Sequence, residues 1–222
     1  MAEADPLITI GTALMGAIGG SFGGTIVGSY LNEKIKKKSE RRFIIDTYLV
    51  QLQDFTEALW DRFNDKKKGK VKDNHYFEVS TFYSLGSILA YRRILLFDVI
   101  YSQIDELISE LGTCLKNKLN EIDTKLDSGS VSLYRYDRLL LAEVIIDKEN
   151  GKLNVSSYLQ FKELYEDNPR IQDMLKPSKE WISNLKAGEV EPLMVILYEI
   201  AKKIAKKTKI ETNITKPDYI DD

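Results

Sequence analysis

The chain has 222 residues, of which 43% are hydrophobic and 30% are charged, and its formal net charge is -2. This composition excludes an intrinsically disordered chain and a globally basic nucleic-acid binder, and the single cysteine, Cys114, excludes a disulfide scaffold. The single histidine, His75, excludes every metal site built on a histidine pair.

The charges are distributed unevenly along the chain. Residues 6–32 form an uncharged segment of 27 residues that holds seven of the 13 glycines. As a helix, this segment is about 40 Å long, against about 30 Å for the hydrocarbon core of a bilayer. Only Glu3 and Asp5 carry charge before it, so the positive start of a cleaved signal peptide is missing. The sequence therefore predicts one N-terminal transmembrane helix, within a region 1–32 that also contains the N-terminal tip.

The residues that flank this segment predict its orientation. A cluster of six cationic residues follows it directly: Lys34, Lys36, Lys37, Lys38, Arg41 and Arg42. The positive-inside rule then places the N-terminus outside and residues 33–222 in the cytoplasm, as a single-pass membrane protein. Near anionic lipid, each cation adds about 1 kcal/mol of attraction, so we expect this cluster to contact lipid headgroups.

Small residues recur at every fourth position of the uncharged segment. Helix association is expected along Thr12, Gly16, Gly20, Gly24 and Gly28, with Gly19 and Gly23 beside them. Residues four apart share one helix face, and the opposite face carries the bulky side chains Ile10, Leu14, Ile18, Phe22 and Ile26. In lipid, small faces let two backbones approach closely. The pattern over residues 12–28 resembles the glycine zipper of self-associating membrane helices, which implies a homo-oligomer or a helical membrane partner.

The rest of the chain has the 3–4 residue apolar spacing of amphipathic helices. This spacing predicts helices over 33–64, 77–101 and 103–126, one from about Tyr134, a short one from Ser156 or Ser157 to Tyr165, one over 178–185 and a last one over 190–208. An extended piece is expected at 152–155, and the tail 209–222 is polar. The predicted fold class is therefore all-α, with the transmembrane helix followed by a cytoplasmic bundle of five or six helices over 33–208.

Six charged residues lie inside otherwise apolar helices and form the predicted buried polar network: Arg92, Arg93, Asp98, Asp137, Arg138 and Glu143. An unpaired buried charge is costly, so we expect these residues to pair between helices and to set the register of the bundle. The alternative is a polar ligand pocket or a carboxylate that acts as a general base.

The motifs of common enzyme and metal sites are missing from the sequence. It has no phosphate-binding loop of the G-x-x-x-x-G-K-[ST] type, no G-x-G-x-x-G, no H-E-x-x-H and no C-x-x-C. We therefore expect no catalytic residue, no metal, no cofactor and no nucleic-acid partner. His75 is expected at the surface and Cys114 near the core.

These patterns favour a non-enzymatic role for the chain. The predicted function is an oligomeric membrane scaffold or effector that recruits or senses a cytoplasmic protein partner. A small homo-oligomeric pore is the first alternative, with a path lined by Thr9, Ser21, Thr25 and Ser29. A membrane-tethered enzyme that uses the Arg/Asp/Glu set is the second alternative.

Overall fold

A computed structural model describes residues 23–97, 99–128, 132–149 and 152–217, with side chains from residue 31 onward. The chain divides into two compact units, Met1–Phe43 and Ile44–Asp222. The first unit contains most of helix α1, Gly23–Ile44. Every residue from 31 to 43 in this helix is exposed, including its six predicted lipid-contacting cations.

The predicted transmembrane helix lies largely outside the described residues, which begin at residue 23. Of the residues expected to mediate helix association, Gly23, Gly24 and Gly28 lie in α1. The other four lie outside the described residues: Thr12, Gly16, Gly19 and Gly20. Within the part of the chain that is described, no helix combines the length and the apolarity needed to cross a membrane.

The second unit is predominantly helical, so the predicted helical bundle is confirmed. A π-helical turn, Ile45–Leu49, precedes the following α-helices: α2 Val50–Lys67, α3 Asn74–Phe97, α4 Ile100–Leu107, α5 Leu111–Leu126, α6 Arg135–Ile145, α7 Tyr158–Asp167, α8 Pro169–Met174, α9 Lys176–Asn184 and α10 Ala187–Thr208. Two strands follow α6: β1 Ile146–Glu149 and β2 Lys152–Val155. The described helices outnumber the five or six predicted, in part because the helix predicted over 103–126 is two helices and because α8 is not predicted from the sequence.

Helix α3 lies at the centre of the second unit, where 15 of its 24 residues are buried. It packs against α2 and α6, while α10 packs against α2 and α5. Three of its buried hydroxyl side chains, those of Ser80, Thr81 and Ser84, donate to carbonyl groups of the same helix, which lowers the cost of burying them. Thr81 Oγ1 donates to the Phe77 carbonyl at 2.6 Å, and Ser84 Oγ donates to the Ser80 carbonyl at 2.9 Å.

The crossing of α3 and α6 depends on a glycine. A Cβ at Gly86 would overlap Ile145 Cδ1 and would lie 3.0 Å from Leu141 Cγ. Both of those residues are buried in α6. The missing side chain therefore lets α6 approach α3 closely, which brings the charged residues of the two helices together.

The single helix predicted over 103–126 is instead two helices, α4 and α5. Glu110 lies between them with a φ of 61°, in the left-handed region. The Asp105 carboxylate accepts hydrogen bonds from the Thr113 backbone N–H at 2.9 Å and from the Thr113 hydroxyl at 2.5 Å. Because this carboxylate satisfies a free N–H in the first turn of α5, a new helix can begin there.

The extended piece predicted at 152–155 is the second strand of an antiparallel hairpin. Ile146 pairs with Val155, and Glu149 pairs with Lys152. The first strand is not predicted from the sequence, because three of its four residues, Asp147, Lys148 and Glu149, are charged. Asn-Gly, the favoured dipeptide of tight hairpin turns, stands between the two strands at positions 150 and 151.

Side-chain caps define the short helices after the hairpin. Ser157, one of two predicted caps, begins α7: its Oγ accepts from the Gln160 backbone N–H at 3.3 Å, and Gln160 Oε1 accepts from the Ser157 N–H at 2.8 Å. Asn168, directly before Pro169, caps the next helix: its Oδ1 accepts from the Arg170 N–H at 3.1 Å. A new helix, α8, therefore starts at Pro169.

The first part of the predicted polar tail packs on α2. Gln53 Nε2 donates to the Glu211 carbonyl at 2.7 Å, and the Asn213 backbone N–H donates to Glu57 Oε2 at 3.4 Å. Ile214 is only 4% exposed and belongs to the hydrophobic core. The bundle therefore continues past residue 208, at which the sequence pattern ends it.

Replacing Ile214 by Ala should lower the free energy of unfolding by about 2 kcal/mol, because a buried aliphatic side chain is removed. Urea unfolding of the full chain, followed by circular dichroism, measures this change. Leu159→Ala is the matched control, since Leu159 is 62% exposed, and it should cost little. If both variants lower the free energy of unfolding by the same amount, the tail does not pack on α2.

Candidate ligand pocket

A cleft lies between α3, α5 and α6, and we call it the arginine pocket. Its wall is formed by Leu89, Arg92, Arg93, Leu96, Phe97, Asp123, Arg135, Arg138, Leu139 and Ala142. The cleft has a volume of about 380 Å³. Small-molecule sites in proteins range from roughly 300 to 1,000 Å³, so the cleft has room for one small ligand.

Two helix faces supply most of this wall. On α3, the lining residues Leu89, Arg92, Arg93 and Leu96 follow the i, i+3, i+4, i+7 spacing of a single face. On α6, the four residues Arg135, Arg138, Leu139 and Ala142 follow the same spacing. Because the two helices cross closely, the two faces converge on the cleft.

Arg138 is the most buried charge in the pocket, with 5% of its surface exposed. Its Nε lies 2.8 Å from Asp123 Oδ1, and its Nη1 lies 3.4 Å from Asp127 Oδ1. Nη1 also donates to the Leu133 carbonyl. Two carboxylates and a carbonyl thus compensate the guanidinium for its loss of water and hold it in one orientation.

Asp123 joins Arg138 to a second arginine. Arg92 Nη2 lies 3.6 Å from Asp123 Oδ2, and Arg92 Nε donates to Asn120 Oδ1 at 3.0 Å. Asp123 and Asn120 both belong to α5. One carboxylate on α5 therefore bridges guanidinium groups from α3 and α6, and ties the three helices together.

The other two arginines are held more loosely. Arg93 Nη1 donates to Glu143 Oε1 at 2.8 Å, but the Glu143 side chain is 58% exposed, so water weakens this ion pair. The Arg93 guanidinium also lies 5.6 Å from the centre of the Phe97 ring. Arg135 is exposed and forms no ion pair with any described residue.

The structure brings together four residues of the predicted polar network: Arg92, Arg93 and Arg138 line the pocket, and Glu143 pairs with Arg93. Asp137 is half-buried in α6 and pairs with no charge among the described residues, and Asp98 lies outside them. Of the five described members, only Arg138 is buried. Asp123, Asp127 and Arg135 are not predicted from the sequence, although Arg135 shares the face of Arg138 and Leu139.

A buried tyrosine lies near the pocket. Desolvation raises the pKa of the Tyr101 hydroxyl, and the Arg92 guanidinium partly opposes this rise. The hydroxyl has no hydrogen-bond partner among the described residues. Since its pKa lies above the usual value, Tyr101 stays neutral at physiological pH and adds no negative charge to the arginines.

None of the other predicted residues belongs to the wall of this pocket. The cations of α1 are exposed, where Lys37 Nζ lies 3.0 Å from Glu33 Oε1 and Lys36 Nζ lies 3.8 Å from Glu40 Oε1. His75 Nε2 lies 3.0 Å from Glu166 Oε1, and both side chains are exposed. Cys114 is half-buried with a free thiol.

Comparison with protein-family models, with curated proteins and with solved structures finds no match to this chain. The described residues contain no group of three or more His, Cys, Asp or Glu side chains placed to hold a metal ion. The arginine pocket combines a cleft, converging guanidinium groups and apolar walls, and it is therefore the candidate functional site.

Proposed function

We propose that this chain is a membrane-anchored, non-enzymatic scaffold or effector. Residues 6–32 cross the membrane once with the N-terminus outside, and the helical bundle recruits or senses a protein partner in the cytoplasm. The observation that carries the proposal is the glycine row Gly16, Gly20, Gly24 and Gly28 within 27 uncharged residues. A row of this kind has a physical use in lipid, where close backbone contact drives helix association.

The composition of α1 supports the membrane position. Its six cations follow the uncharged segment directly, and all of them are exposed. Three apolar side chains in the same helix, Leu31, Ile35 and Phe43, are also exposed. Cations and apolar groups that share an exposed helix suit the headgroup region of an anionic membrane, where about 1 kcal/mol per charge adds to the attraction.

Bulky residues in the glycine row should disperse the oligomer. We expect Gly20→Leu and Gly24→Leu each to weaken self-association in mild detergent by about tenfold, because a large side chain separates the two backbones. Analytical ultracentrifugation of the purified full chain measures the association constant. The matched controls are Ile18→Leu and Ile26→Leu on the bulky face, which should leave it unchanged.

The same variants distinguish a scaffold from a pore. A scaffold forms oligomers in vesicles without release of a trapped dye. If the wild-type chain releases the dye and Gly24→Leu abolishes this release, the chain forms a pore rather than a scaffold. A chain that stays monomeric at every concentration, or an oligomer that both glycine variants leave intact, would contradict the proposal.

A further inference from the structure

The charges on the wall of the arginine pocket are unbalanced. Among the described residues that line the cleft, four carry a guanidinium group and only Asp123 carries a carboxylate. The other paired carboxylates, Asp127 and Glu143, are not part of the wall. Like charges that converge on one cleft repel each other, and apolar side chains would fill the same space at a lower cost. An anion in the cleft removes this repulsion.

Two of the arginines, Arg92 and Arg138, are also oriented before any ligand arrives. Asp123 holds Arg92 and Arg138 from one side, and the Leu133 carbonyl holds Arg138 from another. Arg138 Nη2 donates to none of the described residues, so this N–H group keeps its bonding capacity. Donors that are fixed in advance lose little conformational entropy when an anion binds.

Half of the lining residues are apolar: Leu89, Leu96, Phe97, Leu139 and Ala142. A bare inorganic anion leaves this surface unused, so the ligand needs an apolar or aromatic part as well as a charge. Phe97 is 62% exposed with the Arg93 guanidinium over its ring, an arrangement that offers a platform for a flat group. The volume of about 380 Å³ restricts the ligand to the size of a mononucleotide.

We propose that the arginine pocket binds a small organic phosphate monoester. Arg135 and Arg138 bind the phosphate oxygens through charge-assisted hydrogen bonds, for which the planar guanidinium group is well suited. Leu96, Phe97 and Leu139 contact the apolar body of the ligand. This site goes beyond the proposed membrane role and does not depend on self-association.

Two sources offer this chemistry: a soluble phosphate monoester such as a mononucleotide, and the phosphate of a lipid headgroup. Isothermal titration calorimetry of the full chain in detergent distinguishes them with three probes. Adenosine monophosphate represents the soluble source, dihexanoyl phosphatidic acid represents the lipid source, and inorganic phosphate lacks the apolar body. We expect one of the first two probes to bind at least about tenfold more tightly than inorganic phosphate.

The decisive variant is Arg135→Gln. Arg135 is exposed and forms no ion pair within the described part of the chain, so its replacement should leave the fold intact, which circular dichroism checks. We expect it to weaken binding of the organic phosphate by about tenfold or more. The matched control is Arg170→Gln, because Arg170 is also exposed and without an ion pair among the described residues. This control should bind like the wild type.

Each outcome decides the proposal. Tight binding of either organic probe that Arg135→Gln weakens and Arg170→Gln preserves supports the site and identifies its source. The proposal is overturned if none of the probes binds to the folded chain. It is also overturned if Arg135→Gln leaves the affinity unchanged, or if inorganic phosphate binds as tightly as the organic probes. Gly24→Leu should bind like the wild type, so a failed pocket and a failed oligomer give different results.

Discussion

Replacing Arg138 by Met is expected to lower the free energy of unfolding by about 3–5 kcal/mol, the usual cost of removing one partner from a buried ion pair. Met keeps much of the apolar packing of the Arg138 side chain, so the loss of stability comes mainly from removing the guanidinium charge. Without the guanidinium, the Asp123 carboxylate and the Leu133 carbonyl each lose a partner inside the bundle. The unfolding midpoint in urea, at an unchanged slope, measures the loss.

Two comparisons isolate the role of the Arg138 charge. Arg93→Met should cost less than about 1 kcal/mol, because the Glu143 partner of Arg93 is mostly exposed. The double variant Arg138→Met/Asp123→Leu should recover part of the loss, since it removes a half-buried carboxylate whose remaining partner, Arg92 Nη2, lies 3.6 Å away. If Arg138→Met costs no more than Arg93→Met, Arg138 does not hold the three helices together.

Replacing Gly112 by Ala is expected to destabilise the chain by roughly 3 kcal/mol, at the upper end of the usual cost of overpacking. A Cβ at this position would overlap the backbone carbonyl oxygen of Tyr101 and would lie 3.1 Å from the Asp105 carboxyl carbon. Backbone atoms cannot rotate away as a side chain can, so α5 must move relative to α4. This movement also strains the Asp105–Thr113 cap that begins α5.

The control for this variant is Gly188→Ala in the first turn of α10. No atom lies within 4 Å of a Cβ built at Gly188, and Ala is favoured over Gly in a helix. Thermal unfolding followed by circular dichroism should therefore show a lower midpoint for Gly112→Ala alone. Equal midpoints for the two variants would show that α4 and α5 do not approach each other as described.

The long helices are predictable from sequence because their apolar residues repeat at a fixed spacing. Leu52, Leu59 and Phe63 are all buried in α2, as the spacing indicates. The break between α4 and α5 leaves no such signal, because Leu107 and Leu111 continue the apolar pattern across it. The feature that creates the break is a hydrogen bond from Thr113 to Asp105, eight residues earlier in the chain.

The pocket is predictable only in part for a related reason. Charged residues inside apolar helices identify Arg92, Arg93 and Arg138, because a buried charge needs a partner. Asp123, the partner of Arg92 and Arg138, stands beside the apolar seam of α5, where a charge is equally typical of a solvated helix edge. The edge of α5 that faces α3 and α6 depends on how α3 and α6 cross at Gly86. No local sequence pattern indicates that crossing.

The packed part of the C-terminal tail shows the same limit. Ile210 and Ile214 are the two aliphatic residues of the otherwise polar segment 209–216, and two positions are too few to indicate a buried face. The burial of Ile214 follows from the Gln53 side chain, which bonds the tail backbone at Glu211 and brings the segment onto α2. Single contacts between distant parts of the chain therefore decide features that periodicity does not describe.

Disulfide crosslinking in native membranes tests the proposed self-associating membrane helix most directly. In a Cys114→Ala background, Gly20→Cys and Gly24→Cys should fractionate with the membrane and form covalent dimers on mild oxidation. Ile18→Cys and Phe22→Cys on the bulky face should crosslink far less. Recovery of the chain outside the membrane fraction, or equal crosslinking from both faces, would contradict the account.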